Sequence, residues 1–535
     1  MLPEHSHLPA NSKNTSRAIP NLSRLQRKAY GAFQQGDFDK AEGFCSGILE
    51  HRPDDFDALH LLGLLNFERR HMVDALRFLA AALKSNPVSS DAMSNLGLAL
   101  HTAGHFDQAI SHFHSALQLA PEHPEILYNL GNSCLKLRRF AEAASSFAAA
   151  VASQPDHVGA LVNRGNALLR LNEPVQALAS YDAAQAAMPG HPQILTNRGH
   201  ALRRLDRPVE ALVDFKAALA ANPHFAEAHF EAAVAHLTLG EYEAGWSAYE
   251  WRWTTAAFAG QHREFSAPLW LGHEPADGKT ILLHAEQGFG DTIQFIRYAP
   301  LLARRGANVI CEVQAELRPL LSQLDGVSVI AAGAPLPVVD LHCPLLSLPL
   351  AFKTEVETIP ASVPYLAAPT ERLEHWRHRL PPGRPRVGFV WSGSSTHNND
   401  ANRSIPLARL ASLLGDPALQ CVSLQSEMRS ADRDILRELP NLLHLGDYIS
   451  DFTDTAAIIS LLDVVVTVDT AVAHLAGALG KPVMILLPHA ADFRWMRDRA
   501  DTPWYPTAKL LRQPAFGDWD SVIVRLRDEL RAFER

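Results

Sequence analysis

Pro53, Pro87, Pro121, Pro155, Pro189 and Pro223 stand 34 residues apart. A strict period of this length constrains the fold more than any other feature of the chain. Each period must be one supersecondary unit that buries its apolar face only by stacking on the next. Ten residues after each proline comes Gly63, Gly97, Gly131, Gly165 or Gly199, with Ala233 in the sixth place. A second small residue recurs at Ala41, Ala75, Ala109, Ala143, Ala177 and Ala211, ending with Gly245. Each period therefore reads as an antiparallel helix pair. The small residues let the two helices approach closely, and the proline, lacking an N–H, ends the second helix. Phe113, Phe147, Tyr181, Phe215 and Tyr249 are expected to fill the space between neighbouring pairs.

This pattern resembles the tetratricopeptide repeat, over Leu22 to Trp253 and about seven helix pairs. Such repeats commonly bind partner proteins. Asn95, Asn129, Asn163 and Asn197 also recur at 34, on the first helix of consecutive repeats. Two readings stay open for them. A ladder of carboxamides can donate to and accept from the backbone of an extended polypeptide in the groove. Alternatively, Asn is a consensus residue making local hydrogen bonds.

After residue 253 the period is lost, and short β-rich runs alternate with helical patterns, the grammar of an α/β fold. The expected order is a disordered tail over 1–21, repeats over 22–253, a linker over 254–279, a Rossmann-like half over 280–368, a hinge over 369–386, and a second Rossmann-like half over 387–535 ending in a helix. The strands anticipated are TILLHA and NVICEV in the first half, then VGFVW, LQCVSLQ, DVVVTV and PVMILL in the second. Open parallel sheets bind ligands at the carboxyl ends of their strands, so a cleft is expected between the halves.

Three loops could furnish that cleft. In ILLHAEQGFGDTIQF, Gly288 and Gly290 permit a sharp strand-to-helix corner, and Asp291 starts the helix. The stretch lacks both the G-x-x-x-x-G-K-[ST] of a P-loop and the third glycine of a dinucleotide fingerprint. Asp291 is then either an N-cap or a general base taking a proton from an attacking hydroxyl. In DVVVTVDTAVAHLAGALGKPVMILL, a buried strand ends at Asp469 and Thr470 and a helix starts at once. The backbone N–H groups near Ala471, Val472 and Ala473 are expected to point at a diphosphate. His474 in that first turn either donates to a phosphate or sugar oxygen or is satisfied inside a domain interface. In WSGSSTHNNDANRSIPLARL, Ser392, Gly393 and Ser394 offer hydroxyls and accessible backbone. Arg403 either neutralises the diphosphate or pairs with Asp400 and pins the loop. Trp495, Trp504 and Tyr505 either line the site or pack the end of the chain against the fold.

Taken in order, GFGDTIQFIRYAPLL, WSGSSTHNNDANRSIPL and VDTAVAHLAGALGKPV resemble the heptosyltransferase family, glycosyltransferase family nine, and more narrowly bacterial proteins that fuse tetratricopeptide repeats to such a domain. The run ADFRWMRDRADTPWYPTAKLLRQ also looks characteristic of that subgroup. The resemblance implies a GT-B fold of two Rossmann-like halves, the first on the acceptor side and the second on the nucleotide-sugar donor side. It further implies inverting, metal-independent transfer of a sugar to a hydroxyl acceptor. Asp291 matches the family's presumed base, Asp469, Thr470 and His474 match its donor-phosphate segment, and Arg403 falls near its basic phosphate contact. The chain departs from the family at Ala471, where glycine is frequent, and in the loop THNNDANRS, which replaces a lysine-bearing one. The implied co-substrate is a nucleotide sugar, with no further cofactor. The acceptor is a polypeptide recruited by the repeats, or else a lipopolysaccharide or other glycan; in a third reading the repeats are a scaffold and the α/β part is silent.

Composition narrows the partners. The net charge of −9 lacks the basic footprint of a nucleic-acid binder. Five scattered cysteines without a C-x-x-C pair indicate neither a disulfide framework nor a zinc site, and fit a reducing cytoplasm. The start of the chain has neither the apolar core nor the cationic head of a signal peptide, and no run is long enough to span a membrane. His5 and His7 read as solvated, with nothing nearby to complete a metal site.

Overall fold

A computed structural model describes residues 22–380, 382, 385–397 and 399–533. The tail anticipated over 1–21, with His5 and His7, lies outside the described residues. The chain forms two compact units, one ending at Leu171 and one beginning at Asn172.

In the first unit, α1 (Leu22–Gln34) pairs with α2 (Phe38–Leu49), α3 (Phe56–Glu68) with α4 (Met72–Ser85), α5 (Ser90–Thr102) with α6 (Phe106–Leu119), and α7 (Pro124–Lys136) with α8 (Phe140–Ser153), followed by α9 (Val158–Arg170). Helices α4, α6 and α8 stop two residues before Pro87, Pro121 and Pro155. Starts are marked by side-chain caps: Asp55 accepts from the Ala58 N–H and Ser89 from that of Ala92. The recurring glycines are sites of close approach. A Cβ on Gly97 would sit 2.7 Å from Cε1 of Phe113, and one on Gly131 2.6 Å from that of Phe147. These rings therefore fill the space within a pair, over the glycine of its first helix, and not between pairs as the spacing suggested. A ring on the second helix reaches its partner helix because no side chain stands opposite it.

The second unit opens with α10 (Pro174–Ala187), α11 (Pro192–Arg204), α12 (Pro208–Ala221), α13 (Ala226–Leu239) and α14 (Tyr242–Tyr249), then a 3-10 turn, Glu250–Thr254. Here the repeats merge with the α/β part. Leu237, Tyr242, Trp246 and Tyr249 belong to the same buried core as the first sheet. Trp246 meets Phe295 and Phe493 edge-on at 6.0 and 5.8 Å, and the Trp504 indole N–H donates to the Tyr242 hydroxyl at 3.2 Å. Edge-to-face contacts of this kind add about 0.5–1.5 kcal/mol to what burial alone provides.

The first sheet has strands β1 (Thr280–His284), β2 (Asn308–Val313), β3 (Val327–Ala331) and β4 (Leu341–Pro344) in the order β3-β2-β1-β4. The second has β5 (Arg386–Val390), β6 (Gln420–Ser423), β7 (Leu443–His444), β8 (Val464–Val468), β9 (Val483–Leu487) and β10 (Ala508–Arg512) in the order β10-β9-β8-β5-β6-β7. Every ladder is parallel. Strands β8 and β9 are buried throughout and read as unbroken apolar runs, as central strands covered on both faces must. Together the repeats and the two parallel sheets form an all-α superhelix followed by a two-lobed GT-B-like α/β region. The stretch anticipated as a linker is docked: the Trp270 N–H donates to the His342 carbonyl at 2.8 Å, beside β4. The stretch anticipated as a hinge contains the helix Thr370–Arg377, whose buried Trp376 donates to Asp454 at 2.9 Å. Among the described residues no helix is long and apolar enough to cross a membrane. The five cysteines are buried and unpaired.

Candidate functional site

Each sheet reverses its strand order once, between β1 and β4 and between β5 and β8, and such switch points open a crevice at the strands' carboxyl ends. The loops after β1, β5, β6 and β8 line one cleft of about 1130 Å³. Gly288, Gly290, Asp291, Ser392, Gly393, Ser394, Arg403, Asp469, Thr470, Ala471, Val472 and His474 all line it.

On the first lobe, the loop after β1 turns into α15 (Phe289–Phe295). Asp291 is not the N-cap considered from the sequence. Gly288 holds that position, its carbonyl accepting from the Thr292 N–H at 3.2 Å, and Asp291 is the third helical residue, reaching back to the Gly288 N–H at 2.9 Å. Its second oxygen accepts from the Arg494 guanidinium. Gly290 is a point of contact between lobes: a Cβ there would lie 2.7 Å from Cδ2 of His474 and 3.5 Å from Cα of Ala471.

On the second lobe, Thr470 caps the helix Ala471–Ala478, its hydroxyl accepting from the Val472 N–H at 3.3 Å and its carbonyl from the Ala473 N–H at 3.0 Å. The amide cradle is thus narrower than expected, because two of its three N–H groups are satisfied by the cap. Ala473 is fully buried packing. His474 is held by its own lobe while it lines the cleft: its Nδ1 lies 3.0 Å from the Tyr505 hydroxyl and its ring stacks on Trp495 at 5.3 Å. Burial first, then Arg494 and Arg297, push its pKa well down, so the ring is neutral. Trp495, Trp504 and Tyr505 are fully buried and pack the fold instead of lining the cleft.

Arg403 does not simply pin its loop to Asp400. Asp400 is taken by Arg429 and by the Ser404 hydroxyl at 2.7 Å, while Arg403 lies 3.9 Å from it. Arg403 instead crosses the switch point, its Nη1 donating to the Asp469 carbonyl at 2.9 Å. It passes over Gly393, where a Cβ would stand 2.4 Å from Nη2. Among the described residues the buried Nε of Arg403 and the buried hydroxyl of Ser392 have no hydrogen-bond partner. Ser394 is exposed and shares a hydrogen bond with Thr396. Burial, and then Asp492, raise the Asp469 carboxyl to about 6 against the pull of Arg403. The cleft therefore faces a carboxylate on one lobe with a cation and a hydroxyl on the other that each keep hydrogen-bonding capacity unused.

Sequence reading missed several residues that build this arrangement. Arg494, in the 3-10 turn Phe493–Trp495, binds Asp291, Asp492 at 2.8 Å and Gln294 at 2.7 Å. Burial works against its charge, but Asp492 and Asp291 outweigh burial and hold it protonated. Gln425 staples two loops: its Oε1 accepts from the Trp391 and Ser392 N–H groups at 3.1 Å, and its Nε2 donates to the Ser392 and Glu427 carbonyls at 3.0 and 3.1 Å. Arg252, fully buried, donates to Glu286 at 2.8 and 2.9 Å, to Glu250 at 2.8 Å and to Ser347 at 2.8 Å. Gln287 donates to the Tyr249 hydroxyl at 3.2 Å. Two successive residues of the loop leading to Asp291 are thus held by the last repeat. The run containing Arg494 had been marked in the sequence, but nothing local distinguishes its arginines from one another.

The repeat asparagines are half-buried, and the carboxamides of Asn95, Asn163 and Asn197 are already engaged with neighbours. Asn95 bonds His60 at 2.8 Å, Asn163 donates to Asn132 at 2.8 Å, and Asn197 accepts from Gln193 at 2.8 Å. Asn129 stands one turn before Ser133, whose hydroxyl donates to the backbone carbonyl of Asn129 at 3.0 Å.

Comparison with known proteins agrees with this architecture. Tetratricopeptide-repeat family models match residues 27–90, 100–145, 128–192 and 196–250. The family model of glycosyltransferase family 9 (heptosyltransferase) matches residues 427–502, which include Asp469, His474 and Arg494. A curated relative, Protein FlbA of Caulobacter vibrioides, is 25% identical over 334 residues, covering 57% of this chain and 55% of its own. The match thus spans little more than half of that relative. Among solved structures, the repeats are similar to YrrB, described as a TPR protein with an unusual peptide-binding site (21% identity, 34% of this chain and 95% of that one, TM-score 0.32). They are also similar to Pseudomonas aeruginosa PilF (19% identity, 39% and 94%, TM-score 0.35). The chain is a tetratricopeptide-repeat region fused to a domain of the glycosyltransferase family 9, heptosyltransferase-like type.

Proposed function

We propose that the protein is an inverting glycosyltransferase that moves a sugar from a nucleotide-sugar donor to a hydroxyl of a polypeptide engaged by its repeats. One observation carries the reading: Asp291 of the first lobe and Arg403 with Thr470 of the second line the same cleft, where Gly290 lets the two helix starts touch. Asp291 spends one hydrogen bond on Gly288 and another on Arg494. A carboxylate has about four lone-pair sites, so capacity remains to take the acceptor's proton as its oxygen attacks the anomeric carbon. Arg494 holds that carboxylate in place. As the bond to the donor breaks, charge grows on the departing nucleoside diphosphate. Arg403, the Ser392 hydroxyl and the start of the helix at Thr470 stabilise it there, so in this reading neutralisation rests on the protein's own groups and no metal takes part. The acceptor polypeptide is held along the carboxamides Asn95, Asn129, Asn163 and Asn197, using the capacity their neighbours leave. Five unpaired cysteines suit work in a reducing compartment such as the cytoplasm.

The test is Asp291→Asn. Sugar transfer should disappear while calorimetric binding of the nucleotide sugar persists; undiminished turnover rejects the base assignment. A panel of nucleotide sugars that yields no binding at all would favour a silent scaffold.

A further inference from the structure

The cleft has a third wall, contributed by the repeats themselves. His200, Arg203 and Arg204 of α11 line it together with Val234 of α13 and Phe258. These basic side chains are not equivalent. Arg203 and His200 share Glu231, at 2.8 and 3.1 Å. Among the described residues no carboxylate forms an ion pair with Arg204. Its Nη2 donates to the neutral Asn172 side chain at 2.8 Å, and its Nε is buried without a partner. Burial, with Arg203 close by, lowers its pKa against the pull of Glu231, which already serves Arg203 and His200. A half-buried guanidinium left in this state is costly unless something anionic arrives to meet it.

Its placement says where that anion comes from. Asn197, His200 and Arg204 follow one another at spacings of three and four on α11, which puts them along a single face of the helix. A chain lying along that face passes Asn197 before it enters the cleft. The end of α11 is tied to the second lobe: Asp206, just beyond it, pairs with Arg497 at 2.9 Å, three residues from the Arg494 that binds Asp291.

We propose that Arg204 is an anion-binding subsite at the mouth of the transferase cleft, and that it recognises an aspartate or glutamate side chain flanking the acceptor hydroxyl of a polypeptide lying along α11. The inference rests on the glycosyltransferase reading with a polypeptide acceptor, and adds a sequence requirement to it. Arg204 acts in binding and takes no part in bond making.

The experiment is a degenerate peptide array with Ser or Thr fixed and all flanking positions randomised, probed with the full-length protein and read as binding. Wild type should enrich Asp and Glu over Asn and Gln about tenfold in one register, the weight of one charge-assisted hydrogen bond. Arg204→Gln should flatten that enrichment, and Arg204→Glu should turn it towards Lys and Arg. Should these variants fail to fold, wild type decides alone: its enrichment must fade as salt rises to about 0.5 M, where charge pairs are screened. No acidic enrichment in wild type, or enrichment surviving Arg204→Gln, overturns the proposal. So does Arg204-dependent binding of a phosphorylated glycan with no peptide selected. Nucleotide-sugar titration on the same sample separates the two claims, since its failure removes the transferase reading and leaves the array result standing.

Discussion

Replacing Arg252 by methionine tests how the last repeat holds the loop that carries Asp291. The guanidinium is fully buried, and the side chain of its partner Glu286 is 2% exposed. Arg252→Met keeps much of the volume but removes the contacts to Glu286, Glu250 and Ser347 at once. Among the described residues Glu286 then retains only the Leu346 N–H, at 3.1 Å. Removing one member of a buried pair costs about 3–5 kcal/mol, because the other charge stays behind without compensation. At about 2 °C per kcal/mol, the lower end for large domains, the melting temperature of the second unit should fall by about 6–10 °C. The pH dependence has a definite sign. Burial already raises the Glu286 pKa even with Arg252 beside it, and without Arg252 it rises further. A carboxyl whose folded pKa lies above its unfolded value stabilises the fold when protonated, and that contribution is lost as pH rises. The deficit of Arg252→Met should therefore shrink on acidification and widen towards pH 8, and adding Glu286→Gln should recover much of it. Differential scanning calorimetry of the three proteins at several pH values is the assay. Melting of Arg252→Met within about 2 °C of wild type, or a double variant no better than the single one, would refute the reasoning.

Three further outcomes follow from the geometry. Burial and Asp492 raise the Asp469 carboxyl to about 6, and a bound diphosphate would raise it further; nucleoside diphosphate affinity should fall as pH rises through that range, and Asp469→Asn should flatten the profile in calorimetric titration. Gly393→Ala places a Cβ 2.4 Å from Nη2 of Arg403, which must leave the Asp469 carbonyl; nucleotide affinity should drop about tenfold with melting nearly unchanged. Gly199→Ala drives a Cβ to 2.4 Å from the fully buried Phe215 ring, an overpacking cost of about 1–3 kcal/mol, visible as faster hydrogen exchange in α11 and α12.

What was legible in the chain was whatever depends on local pattern. The 34-residue period encoded the helix pairs because each repeat solves the same packing problem with the same small residue. Strands such as β8 and β9 stood out as buried apolar runs. Strands β3, β4, β7 and β10 did not: β4 and β7 are short, β3 and β7 are only partly buried, and Lys509 and Arg512 interrupt the apolar run of β10. The glycine corner and the Asp469–Thr470 turn were visible because strand-to-helix turns have local signatures.

Partners far apart in sequence were decided by tertiary structure alone. Arg494 meets Asp291 across 203 residues, Trp504 meets Tyr242 across 262, and Arg403 turns from Asp400 to the Asp469 carbonyl. Charge and shape in a single chain specify what a residue is able to bind. Which partner it takes depends on the desolvated space the fold assembles around it, where one carboxylate or carbonyl lies within reach and the others do not.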